Sequence, residues 1–130
     1  MRAAAPLVDN GFSVVDQSAD NKHFGNALLM VTRGSVRTRI IRERGLWFVE
    51  IGSTKDPREW FDARLILRLL RDTVDYSAPL DDNALSRLLL ALGQAVDKWE
   101  ILFHDSVYPT TRAELKSLER ASAQERFGYR

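Results

Sequence analysis

An α+β fold is what this 130-residue sequence predicts: an antiparallel meander of about four strands, then three helices packed on one face of the sheet. Three observations point there. Five of the seven glycines lie at or before Gly52. Most of the leucines lie after it. Glycine with β-branched and aromatic residues favours strands and tight turns, while leucine with few glycines favours helices. The third observation is order: strands first and helices second belong to α+β architectures rather than to alternating βαβ units. Apolar residues make up 45% and charged residues 28% of the chain, as in an ordinary globular protein, so one domain over residues 1–130 is expected.

The strands are expected between about residues 12 and 51. Phe12 to Asp16 is a short candidate, followed by a polar loop to His23. Asn26 to Thr32 holds a nearly continuous apolar run, as a strand near the sheet centre would. Arg33-Gly34-Ser35 supplies a turn, Val36 to Glu43 a second long strand, Arg44-Gly45 the next turn, and Leu46 to Ile51 a third strand. Alternation puts Trp47, Val49 and Ile51 on one face, assigned to the helices, and Leu46, Phe48 and Glu50 on the other. Exposure of Leu46 or Phe48 there would mark a dimer or partner site. Arg42 falls on the Ile40 face, out of phase with Arg37 and Arg39, so a bulge or the strand end is expected near Ile41.

The helices are expected at about residues 57–75, 82–103 and 111–126. Asp56-Pro57-Arg58-Glu59 reads as a helix start, with Asp56 at the N-cap, Pro57 at the first position and Glu59 completing a capping box. Trp60, Ala63, Leu67, Leu70 and Val74 fall on one stripe, Phe61, Leu65 and Leu69 on the next. Tyr76 to Pro79 breaks this helix. The second carries the stripe Leu85, Leu88, Leu89, Leu92, Val96, Trp99 and Phe103. Pro109-Thr110-Thr111 precedes the third, with Thr111 and Glu114 as its capping box.

Composition also limits function. The chain has no cysteine, which removes disulfide frameworks, thiolate metal sites and cysteine nucleophiles. Its formal net charge of +1 gives no bulk attraction to nucleic acid or membranes. The apolar run near the N-terminus is broken by Pro6 and ended by Asp9, unlike a secretory leader. No segment approaches the ~20 apolar residues of a membrane helix. A cytoplasmic protein without a membrane anchor is the expectation.

Catalytic signatures are scarce. His23 and His104 are far apart in sequence, and neither has an evident orienting partner for general-base work. HExxH, GxSxG and GxxxxGK[ST] patterns are missing. No catalytic residue, metal or cofactor is expected. Two surface patterns remain. Arg33, Arg37, Arg39, Arg42 and Arg44 lie close to Trp47 and Phe48, a combination that single-stranded nucleic-acid binders use; it also reads as a solubilised sheet face. Asp72, Asp75, Tyr76, Asp81 and Asp82 flank one interhelical loop. Carboxylates around an aromatic anchor suit a basic protein partner, although Asp81 and Asp82 also fit a helix start.

The segments Phe24-Gly25-Asn26, Arg44-Gly45-Leu46-Trp47-Phe48-Val49-Glu50 and Asp56-Pro57-Arg58-Glu59-Trp60-Phe61-Asp62 resemble small bacterial immunity-type proteins that accompany secreted toxins. The likeness covers residues 11–75. It implies a small sheet packed by helices and a role as a toxin inhibitor, and it assigns no individual functional residue. The expectation is therefore a non-catalytic protein-binding domain, an immunity-like inhibitor whose partner is a cationic toxin domain. A nucleic-acid-binding domain using the strand at 33–44 is the first alternative, and an enzyme using His23 or the acidic residues the second.

Overall fold

Four eight-residue strands form the centre of the molecule: β1 (Ser13–Asp20), β2 (Asn26–Arg33), β3 (Val36–Glu43) and β4 (Leu46–Ser53). The structure is a computed structural model that describes residues 4–20, 26–70 and 80–127. A two-residue strand, β5 (Phe61–Asp62), completes the order β1-β2-β3-β4-β5, with every neighbouring pair antiparallel. The expected meander is present, with a fifth strand added.

The turn between β3 and β4 shows why its residues were chosen. Arg44 and Gly45 take φ angles of 53° and 80°. Positive φ at both central residues gives a turn whose twist matches the strands it joins, and glycine adopts it without strain. Neither the bulge nor the strand end expected near Ile41 is present, since β3 continues to Glu43. The β3–β4 ladder runs unbroken from Val36↔Ser53 to Glu43↔Leu46, so Arg42 stays on the Ile40 side. Its guanidinium carbon lies 5.6 Å from the Trp47 ring centroid, and this aromatic cover holds the cation there. The irregularity sits in β1 instead. Val14 pairs with Val31 and Asp16 with Met30, leaving Val15 as the extra residue. β1 then runs on to Asp20, through residues expected to form a loop.

Five helices accompany the sheet among the described residues: α1 (Ala5–Val8), α2 (Ala63–Leu69), α3 (Asp82–Gln94), α4 (Val96–Glu100) and α5 (Tyr108–Phe127). The helix expected from residue 57 starts at Ala63. Its N-cap is Asp62, which accepts the Arg64 N–H at 2.9 Å, not Asp56. The cause is tertiary: the Asp56 carboxylate accepts the Tyr108 hydroxyl at 2.8 Å, and Glu59 pairs with Arg112 and Lys116 of α5. Residues 71–75 of that expected helix lie outside the described residues. The helix expected over 82–103 is interrupted at Ala95 and ends in a 3₁₀ turn, Ile101–Phe103. Across the break, the buried Trp99 indole N–H donates to the Leu92 carbonyl at 2.9 Å. α5 begins before the expected residue 111, since Pro109 is tolerated in a first turn. Thr111 is buried inside it and donates to the Val107 carbonyl instead of capping.

The core lies between the helices and one sheet face. Leu29, Val31, Ile40, Val49 and Ile51 of the strands meet Phe61, Leu65, Ile66, Leu88, Leu92 and Trp99, all buried. Trp47 and Leu69 are partly buried against this cluster. The assignment of Trp47, Val49 and Ile51 to the helix side therefore holds. Burial of side chains this size contributes roughly 1.5–3 kcal/mol each.

Candidate functional site

Of the residues expected to bind a partner, Asp72, Asp75 and Tyr76 lie outside the described residues, as does His23. Asp81 and Asp82 are exposed, and each has a local role. Asp81 caps α3 by accepting the Ala84 N–H at 2.7 Å. Asp82 accepts the Trp47 indole N–H at 2.7 Å. The Trp47 backbone N–H also donates to the Leu80 carbonyl. These contacts bring the start of α3 to the start of β4 on the helix side of Trp47, the face opposite Leu46 and Phe48.

Leu46 and Phe48 face away from the helices and are 41% and 45% exposed. They do not stand alone. Cross-strand register aligns Phe48 with Ile41 and Ile41 with Leu28, which makes one apolar row across β4, β3 and β2. Met30 follows on the same face of β2, and Leu28, Met30 and Ile41 are half-buried. A shallow groove of about 270 Å³, lined by Ser18, Leu28, Ile41 and Glu43 among others, extends the row towards β1. Apolar side chains clustered on a solvent-facing sheet mark an interaction surface more often than scattered ones do.

The other end of the same face is occupied. Trp60, carried by the loop at residues 54–60, covers two arginines: the guanidinium carbons of Arg37 and Arg39 lie 3.8 and 4.1 Å from its ring centroid. Arg39 Nε donates to Glu50 Oε1 at 2.7 Å, across the registered β3–β4 pair. Arg37 donates to the carbonyls of Ser53 and Asp56 at 3.0 Å and of Glu59 at 3.4 Å. Burial, then the neighbouring Arg39 charge, lowers the Arg37 pKa. Gly52 makes the close approach of this loop possible, since a Cβ there would lie 2.6 Å from the Glu59 carbonyl oxygen. Beneath it, burial and then the bond to Asp56 push the Tyr108 phenol well above its ordinary range, so it stays protonated as a donor. Hydrogen bonds from Lys116, then Arg112, hold the Glu59 carboxyl below the usual carboxylate range.

The guanidinium groups of Arg37 and Arg39, two of those a nucleic-acid reading needs, are thus engaged inside the molecule. Arg33 likewise pairs with Asp97 at 2.9 Å. The Glu100 carboxylate accepts from His104 Nε2, one helical turn away. Among the described residues, no three of His, Asp or Glu are grouped to hold a metal ion, and no helix is long and apolar enough to cross a membrane. No protein-family model, curated protein or solved structure matches the chain.

The Leu28–Ile41–Phe48 row is the feature that residue-by-residue reading found only in part. Alternation placed Phe48 and Leu46 on the outer face. Alignment of all three strands into one row needed the register.

Proposed function

We propose that this protein is a non-catalytic protein-binding domain, an immunity-like inhibitor of a bacterial toxin with a cationic surface. The observation that carries the reading is the exposed Leu46 and Phe48, continued by Ile41, Leu28 and Met30 on the sheet face opposite the helices. Aromatic and aliphatic anchors of this kind provide affinity once desolvated. Glu43, exposed and in register with Leu46, provides attraction for a basic partner and speeds encounter. The resemblance of residues 11–75 to immunity-type proteins supports the same role.

The test uses the wild-type chain and a Leu46→Ser/Phe48→Ser variant as baits in the native host. A toxic protein that the wild type captures and inhibits, and that the variant loses by a hundredfold or more, is the expected outcome. Equal capture by both baits, or a captured protein whose activity is unaffected, rejects the reading. Thermal unfolding of the variant, unchanged within a few degrees, separates a lost surface from a lost fold.

A further inference from the structure

We propose that the free edge of β1 accepts an extended, lysine- or arginine-bearing segment of the partner protein as a sixth strand. Among the described residues, β1 pairs with β2 alone and stands first in the sheet order. A terminal strand presents a row of backbone N–H and C=O groups that an added strand can satisfy. Every residue from Ser13 to Ser18 is exposed, with Val14 at 51% and Val15 at 54%. The opposite edge is different. There β4 is met by β5 at Glu50 and Ile51 and by Leu80 at Trp47.

Charge selects the occupant. The span Ser13–Asp20 holds Asp16 and Asp20 and no lysine or arginine. Two copies of β1 paired antiparallel over Asp16 to Asp20, the regular stretch beyond the bulge, would set each Asp16 directly opposite Asp20 of the other copy. Like charges in facing cross-strand positions are destabilising, so the strand disfavours itself. The bulge at Val15 acts in the same direction, because it interrupts the flat ladder that identical edges need. A cationic strand over Asp16 to Asp20 lies beyond the bulge and meets no such repulsion. It sets a positive side chain beside Asp16 and satisfies the same backbone groups. The inference rests on the reading of the chain as a protein-binding domain, but it uses a surface separate from Leu46 and Phe48.

The experiment titrates the full chain with a synthetic ten-residue peptide of alternating lysine and valine. A peptide with glutamate at each lysine position is the control. Backbone amide NMR and hydrogen exchange locate the site. Shifts and exchange protection concentrated in residues 13–20, and none with the glutamate peptide, are expected. Asp16→Lys should weaken binding about two- to tenfold, and Asp16→Asn by less. No binding, equal binding of both peptides, or a dimer of the free protein through β1 overturns the proposal. Perturbation at Leu46 and Phe48 with silent β1 amides also overturns it, while leaving the protein-binding reading standing. Conversely, the bait experiment can fail without touching the edge.

Discussion

The two ends of the outer sheet face are made by the same two strands and are covered differently. At the end near Ser53, Trp60 lies over Arg37 and Arg39, and Arg37 ties down the carbonyl that ends β4 and two loop carbonyls. At the end near Leu46, Phe48 and its row meet water. The difference lies in the connections. β4 leaves into a loop at residues 54–60 that is long enough to fold back with a tryptophan, whereas β3 enters β4 through two residues, Arg44 and Gly45. A two-residue turn has no chain to lay over the face. Apolar surface at the short-turn end therefore stays open for another molecule, while the long-loop end is sealed by the protein itself.

Truncating the seal is the strongest way to break this comparison. Trp60→Ala removes the ring shared by two guanidiniums and should cost about 2–3 kcal/mol in urea unfolding. An unchanged midpoint would mean that the loop is held without Trp60. Gly52→Ala attacks the same end from below. Its new methyl meets the Glu59 carbonyl, and a loss of about 1–2 kcal/mol is expected, with amide shifts spreading into residues 54–60.

The helix-covered face supplies a contrasting case. Thr38 is fully buried between Val31 and Ile51, and its hydroxyl has no hydrogen-bond partner. Thr38→Val keeps the shape and removes the orphan, so a gain of about 1 kcal/mol is expected; a loss would reveal a bond to water at that site.

Acid should loosen the sealed end. The Glu59 carboxyl is held below its ordinary value of 4.5 by Lys116 and Arg112. A depressed folded pKa stabilises the fold above the unfolded value, and that stabilisation is lost as the pH falls through the folded one. Glu59→Gln should therefore cost about 0.5–1 kcal/mol at pH 7, with the gap to wild type closing as the pH drops below 4.5. A gap independent of pH would show that the ion pairs do not produce it. The smallest effect on stability belongs to the open end. Phe48→Ser should move the unfolding free energy by no more than about 0.5 kcal/mol while abolishing partner capture. A larger loss would show that the row is part of the fold and not kept for a partner.

Legibility in the sequence followed burial. The turns at Gly34 and Gly45, the strands β2 to β4 and the stripe of α3 were readable, because each pairs a local backbone requirement with a periodic apolar face. The second half of β1 was not readable. Asp16, Gln17 and Ser18 are exposed, so no apolar alternation marks them as a strand. The start of α2 was misplaced for the opposite reason. Asp56 and Glu59 have capping chemistry, but Tyr108, Arg112 and Lys116 claim it from 52 or more positions away. Trp60 then moves from a helix stripe to the outer sheet face.

By itself, the order of residues determined the class of fold, the helix-facing side of β4 and the size of the core, since these depend on periodicity and turn chemistry within a few neighbours. Only the tertiary structure decided which arginines are occupied, which carboxylates cap or hold a ring, and which apolar side chains remain in water. Those outcomes depend on strand register and on where a distant loop comes to rest, and neither is encoded in the spacing of adjacent residues.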